Sequence, residues 1–98
     1  MLLQIKHQNV VLDKGDRFVI ETDNQRSFLC YRIADQTIDL YCAYVPENLR
    51  GNGHASSLIL FALQYAVLNG LWVKPNCPAV RAYIKMYPEW RYMISHNQ

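Results

Sequence analysis

Val45-Pro46-Glu47-Asn48-Leu49-Arg50-Gly51-Asn52-Gly53-His54-Ala55-Ser56 joins two segments of opposite character. Before it, Thr37-Ile38-Asp39-Leu40-Tyr41-Cys42-Ala43-Tyr44 is rich in β-branched and aromatic residues and reads as a strand, which Pro46 ends. After it, Ala55, Leu58, Ile59, Ala62, Leu63, Ala66 and Val67 recur at helical steps, an apolar stripe over residues 54–69. Gly70 follows Asn69 as the stop signal. The chain therefore passes from a strand, through a loop crowded with turn residues, into a helix.

Upstream, Arg17-Phe18-Val19-Ile20-Glu21-Thr22 and Ser27-Phe28-Leu29-Cys30-Tyr31-Arg32-Ile33 read as strands. Asp23-Asn24-Gln25 and Ala34-Asp35-Gln36 are the polar breaks, so an antiparallel meander is expected. Ile5 to Leu12 suggests a further first strand, cut off by Lys14-Gly15-Asp16. Downstream, Leu71-Trp72-Val73-Lys74-Pro75 is a short strand, and Pro78 opens a second helix with the stripe Val80, Tyr83, Ile84 and Tyr87. Pro88 stops that helix, leaving a short, partly aromatic tail from Glu89. The order is β-β-β-β-α-β-α. The helical crossover predicts a last strand parallel to the one ending at Val45. The expected fold is α+β (mixed α/β), a mainly antiparallel sheet of about five strands with two helices packed on it, in one domain over residues 1–98.

Composition narrows the function. Of 98 residues 51% are hydrophobic and 18% charged, too apolar for a disordered chain. The net charge is only +2, and no run reaches three consecutive Lys or Arg. Tyr31, Tyr41 and Tyr44 lack a basic groove around them, so nucleic acid is not an expected partner. The longest strictly apolar run, Leu58 to Leu63, is too short for a membrane span, and Met1-Leu2-Leu3 with Gln4 and Lys6 makes no signal peptide. Three cysteines form no disulfide framework, and no spacing of His, Cys, Asp and Glu suggests a metal. A soluble, reduced, cytoplasmic protein is expected.

The loop carries the chemistry. Gly51 and Gly53 let backbone amides face outward and let a ligand approach without Cβ obstruction. The amides of His54, Ala55 and Ser56, at the helix start, have no intrahelical acceptors. With the helix dipole they suit a phosphate or diphosphate, to which Arg50 can add a charge-assisted contact. The alternative is a tight turn with glycine chosen only for φ. Neither G-x-x-x-x-G-K-[ST] nor G-x-G-x-x-G is present, which argues against P-loop and dinucleotide sites.

Arg50-Gly51-Asn52-Gly53-His54-Ala55 resembles the acyl-CoA motif [QR]-x-x-G-x-[GA] of the GNAT acetyltransferase superfamily, with Arg50, Gly53 and Ala55 at the defining positions. Asn76-Cys77-Pro78-Ala79-Val80-Arg81-Ala82-Tyr83 is similar to the superfamily's later N-x-x-A-x-x-x-Y segment. Val45-Pro46, Pro75-x-Cys77-Pro78 and the Tyr87-Pro88-Glu89-Trp90 ending resemble its minimal, roughly hundred-residue branch. The resemblance covers residues 37–90 well, and the upstream strands by pattern. It implies acetyl-CoA, or coenzyme A, in a gap between the strands at 37–45 and 71–75. Pantetheine would pair with the backbone near Tyr44 and Val45, and the pyrophosphate would rest on the loop at 50–56 around Asn52. The implied reaction transfers acetyl to an unidentified amine, of a small molecule or a protein.

Cys77 reads as the N-cap before Pro78, where a helix start favours thiolate; it is a candidate nucleophile or a small buried residue under the cofactor. Tyr83 matches the superfamily tyrosine that protonates departing CoA, or belongs to the apolar stripe. Asn76 can bond the pantetheine amide or the local turn. Cys30 and Cys42 read as core residues, and His54 as a helix-start residue whose ring faces phosphate or solvent. His7 and His96 stand alone near the termini. Where the minimal branch often has a His-Thr pair before Val-Pro, this chain has Cys42-Ala43, which removes a polar pair from the cleft strand. Val10 to Arg17 leaves no room for the usual acceptor-side helices, so the acceptor surface should be open. Leu60, Phe61 and Leu68 contact the sheet or mark a dimer surface; a monomer is expected. The alternative function is a coenzyme A-binding module without transfer activity.

Overall fold

The computed structural model describes residues 10–13 and 15–95. Five strands form one sheet in the order β1-β2-β3-β4-β5: β1 Val11–Asp13, β2 Arg17–Thr22, β3 Gln25–Ala34, β4 Thr37–Tyr44 and β5 Trp72–Pro75. The first four are antiparallel neighbours, as the meander requires, and β5 runs parallel to β4. The crossover helix α1, His54–Leu68, and α2, Pro78–Met86, complete the expected order. Ile5 to Asn9 of the suggested first strand, with His7 and His96, lie outside the described residues. No helix among the described residues is long and apolar enough to cross a membrane.

Local chemistry explains the element ends. The turns after β2 and β3 place Asp23 and Asn24, then Asp35 and Gln36, at positive φ, the backbone of tight two-residue hairpins. Gly70 has φ +65°; its amide bonds the Val67 carbonyl and the Leu71 amide bonds the Ala66 carbonyl, a Schellman stop for α1. Pro78 occupies the first turn of α2, where its missing N–H leaves nothing unsatisfied.

The core lies on one face of the sheet. Phe18, Ile20, Leu29, Tyr31, Ile38, Leu40 and Val73 meet Leu58, Ile59, Ala62, Leu63 and Ala66 of α1 and Val80 and Ile84 of α2. Phe18 anchors it, stacked on Tyr31 at 4.4 Å and edge-on to Phe61 at 5.5 Å. Phe61 thus contacts the sheet, while Val67 and Leu68 are exposed. The tail is more ordered than its sequence suggests. Pro88–Met93 makes a 3-10 helix with Met93 buried, and Ile94 bridges Val73, so the chain returns to the edge of β5.

One irregularity positions the site. Cys30 pairs with Cys42 but Tyr31 pairs with Leu40, so Tyr41 is an extra residue in β4. The bulge reverses alternation. Leu40 faces the core with no exposure, whereas Cys42, two residues on, lies on the opposite face and is exposed. The expectation of a core Cys42 therefore fails. Cys30, its cross-strand partner, is half-buried on that same outer face and does not belong to the core either.

Candidate functional site

β4 has two neighbours along only part of its length. Thr37, Ile38, Asp39 and Leu40 pair with Trp72, Val73, Lys74 and Pro75. The last link is the Cys77 amide donating to the Leu40 carbonyl at 2.8 Å. Pro78 then turns the chain into α2, and beyond Leu40 no described strand pairs with β4 on the β5 side. The free edge opens on a cavity of about 540 Å³ lined by Ala43, Tyr44, Val45, Leu49, the loop and the start of α1, with Ala79 of α2 opposite.

The loop is held from below. Leu49 is buried, Gln25 and Asn48 exchange two amide hydrogen bonds of 3.0 and 2.8 Å, and Asn52 Nδ2 donates to the Leu49 carbonyl at 3.1 Å. Gly51 and Gly53 have φ of +88° and +82°, and a Cβ on either would meet nothing within 4 Å. Their conformation thus demands glycine, and the space above them is open. Gly53 is the N-cap of α1 and its carbonyl accepts from the Ser57 amide at 3.0 Å. The amides of His54, Ala55 and Ser56 meet no acceptor among the described residues, and all three residues line the cavity.

The expected site residues fall into two groups. Tyr44, Val45, Arg50, Gly51, Gly53, His54, Ala55 and Ser56 all line the cavity. Arg50 folds back, its Nε donating to the Val45 carbonyl at 2.9 Å. The Tyr44 ring packs beside Phe28 on the outer face, centroids 5.5 Å apart, so what Tyr44 offers the cavity is main chain. Asn52 belongs to the loop but does not line the cavity. Asn76 turns elsewhere. Its Nδ2 donates to Asp39 Oδ1 at 2.9 Å, and its carbonyl accepts from Arg81 at 2.8 Å, which fixes the turn between β5 and α2.

His54 corrects the expectation that its ring faces phosphate or solvent. It is buried, and its Nε2 shares a 3.2 Å hydrogen bond with Thr22 Oγ1 on β2, while its Nδ1 has no partner among the described residues. Thr22 lies thirty-two positions away in sequence, and no local signal connects the two.

Cys77 is the N-cap of α2, as its position before Pro78 suggested, and it is buried, with 3% exposure, where β4 and β5 part. Its carbonyl accepts from the amides of Val80 and Arg81. Tyr83 is half-buried and its ring lies 4.7 Å from that of Tyr87. It borders a hollow that shares Ala55, Ser56 and Ala79 with the larger cavity. Burial, then Tyr87 and Glu89, push the Tyr83 hydroxyl above its ordinary value, so it is protonated at neutral pH.

Free amides at a helix start, an open strand edge and a cavity between them are the features that an extended, phosphorylated ligand requires. The donor set fits coenzyme A in its chemistry: free N–H donors suit a diphosphate, and an open strand edge suits an amide-bearing arm. A family model described as GCN5-related N-acetyl-transferase matches residues 17–93. That is most of the chain, and the protein belongs to this family, whose members use acetyl-CoA as acetyl donor.

Proposed function

We propose that the protein is an N-acetyltransferase that moves acetyl from acetyl-CoA to an amine and holds the carrier mainly through its own main chain. The supporting observation is the set of partnerless amides at His54, Ala55 and Ser56, opening on the cavity beside the free edge of β4. Those amides and the Gly51–Gly53 backbone receive the diphosphate, and the Tyr44 and Val45 backbone receives the pantetheine arm. Arg50 exchanges the Val45 carbonyl for phosphate. This one movement frees an acceptor on the strand edge and supplies a cation to the loop.

In the transfer, the amine nitrogen bonds to the acetyl carbon as the carbon–sulfur bond breaks, the Tyr83 hydroxyl protonates the departing sulfur, and the proton that the nitrogen loses passes through solvent to restore Tyr83. Its place beside Ala55, Ser56 and Ala79 favours this role. Cys77 is the competing group. Its thiolate would take the acetyl carbon and release CoA as a thiolate, and the amine would then take acetyl from Cys77, restoring the Cys77 thiolate and giving its proton to the released CoA through solvent. Its 3% exposure requires the cleft to part for that to occur.

A second reading, a coenzyme A-binding module without transfer, draws on the cavity lining. Arg50, His54 and Tyr44 are its only titratable members among the described residues, and the His54 ring is buried on Thr22. Among the described residues the one basic nitrogen of the lining without a partner is His54 Nδ1, on a ring that is itself buried.

Titration calorimetry with coenzyme A tests the common ground, and absence of saturation on the order of 1 mM ligand removes both readings. Incubation with acetyl-CoA and a panel of amines then separates them. Transfer releases free CoA, and Tyr83→Phe lowers the rate about 100-fold or more with coenzyme A affinity unchanged. An acetylated intact protein that disappears in Cys77→Ser assigns the nucleophile to Cys77 instead. Binding with neither product supports the module.

A further inference from the structure

We infer that Cys30 and Cys42 form a reactive dithiol on the open face of the sheet, closing reversibly to a disulfide between β3 and β4. The two residues are direct register partners on antiparallel strands. Directly opposed Cα atoms in such a ladder are about 4.5 or 5.5 Å apart, depending on the kind of pair. Both values fall inside the Cα range of natural disulfides, about 4.4–6.8 Å. Both side chains lie on the same face, because Cys30–Cys42 shares its register with Leu29–Ala43 and Phe28–Tyr44, and the shift falls beside it, between Cys30 and Tyr31.

Access and order of reaction follow from burial. Cys42 is exposed and Cys30 half-buried, on the face turned away from α1 and α2. Burial, then the adjacent Cys42 thiol, raise the Cys30 pKa, while Arg17 offsets part of this. Cys42, the more exposed of the two, therefore reacts first, as its thiolate. It attacks a low-molecular-weight disulfide such as oxidised glutathione, forming a mixed disulfide as the oxidant's S–S bond breaks and one glutathione thiol leaves. Cys30 then gives up its proton and attacks the Cys42 sulfur, and the second glutathione leaves. Two protein thiols are oxidised and one glutathione disulfide is reduced to two thiols, so electrons and protons balance.

The pair differs from Cys77, which is buried in the core cluster. Bridging needs no change of register. The Cβ spacing of opposed strand residues is somewhat wider than a relaxed disulfide prefers, which favours a bond that is easily reduced again. The extra residue at Tyr41 loosens the ladder beside the pair and helps β4 make the approach.

The test is equilibration of the full chain in glutathione buffers of rising oxidised fraction, followed by acid quench, alkylation and intact mass. The expected product is about 2 Da lighter than the reduced chain, with two fewer alkylatable thiols and a Cys30–Cys42 linked peptide, all reversed by dithiothreitol. Cys30→Ser should stop at one glutathionyl group on Cys42, which shows the order of attack. Three alkylatable thiols under oxidising conditions, a wild-type chain that stops at the mixed disulfide, a bridge to Cys77, or a disulfide between two chains would each overturn the inference. Circular dichroism of the oxidised and reduced forms confirms that the folded protein is being read.

Discussion

The two halves of β4 are made of similar residues and do different work. Thr37 to Leu40 is flanked by β3 on one side and β5 on the other, and Ile38 and Leu40 are fully buried. Tyr41 to Tyr44 keeps β3 but has no neighbour strand on the other side, and Tyr44 is 46% exposed. Between them lie the Tyr41 bulge and the Cys77–Leu40 hydrogen bond, so the strand changes face and loses its partner at the same place. The lesson is that one strand can serve first as core and then as a template for ligand, provided that its second neighbour is led away. Here Pro78 leads it away, by starting α2 where the strand would otherwise continue.

The largest effect should come from the closed half. Leu40→Ala removes a fully buried side chain from the shared core of β4, α1 and α2 and should lower unfolding free energy by about 2–5 kcal/mol. Tyr44→Ala, four residues on, loses chiefly its ring contact with Phe28 and should cost about 1 kcal/mol. Urea unfolding of the two variants measures the contrast. Equal losses would mean that the open half is as much core as the closed half.

Two glycines refine the picture for the ligand-facing end. Gly53 and Gly70 cap opposite ends of α1, both at positive φ and both with open space where a Cβ would stand. Alanine at either should cost about 1–2 kcal/mol of stability, through left-handed backbone strain. Only Gly53→Ala should also weaken coenzyme A binding, by about tenfold or more, because it disturbs the turn that aims the free amides. Calorimetry on both variants reads this, and equal affinities would detach the α1 amides from binding.

A pH dependence distinguishes the two halves less strongly. Tyr31, opposite Leu40 in the closed half, has its hydroxyl pKa raised, first by burial and then by Tyr65 and Asp16. Tyr83, beside the open half, is raised first by burial as well. A tyrosine raised in the folded state holds its proton more tightly there than in the unfolded chain. Its stabilisation is complete below the ordinary value near 10 and is lost as pH rises from there through the folded pKa. Stability should therefore fall above about pH 10, with a shallower fall in Tyr31→Phe. Denaturant midpoints across that range check it.

Most of the frame was legible because it rests on local chemistry. Pro46, Gly70, Pro78 and Pro88 mark element ends by removing a donor or permitting a left-handed residue, and the helical spacing from Ala55 to Ala66 marks the main core face, with Leu60, Phe61 and Leu68 outside that stripe. The loop could be read for the same reason, since helix-start amides lack partners wherever a helix starts. The bulge could not. Tyr41 carries no glycine-like signal, and strict alternation sends Cys42 into the core, so both the outward turn of Cys42 and its facing of Cys30 depend on tertiary register. The His54–Thr22 bond and the return of Ile94 to β5 are long-range contacts of the same kind. The Asn76 side chain, read as a candidate for the ligand, instead reaches Asp39 across the β4–β5 pair.

The smallest prediction concerns the closed end, where β4 begins. Asp35 and Gln36 form the β3–β4 hairpin at φ +52° and +60°, and the Gln36 carbonyl accepts from the Trp72 amide at 2.9 Å, opening the β4–β5 ladder. Glutamine gains nothing from its side chain in that conformation, whereas Asp-Gly is the preferred pair for such turns. Gln36→Gly relieves a left-handed strain of about 1–2 kcal/mol. It adds back roughly 0.5–1 kcal/mol of backbone entropy in the unfolded chain. The balance is a gain of about 0.5 kcal/mol, with the carbonyl to Trp72 retained. Because the change touches only the closed end, coenzyme A affinity should stay constant while the unfolding midpoint rises. A fall in affinity would show that the turn at the start of β4 is felt at its open edge, and that the two halves are not independent.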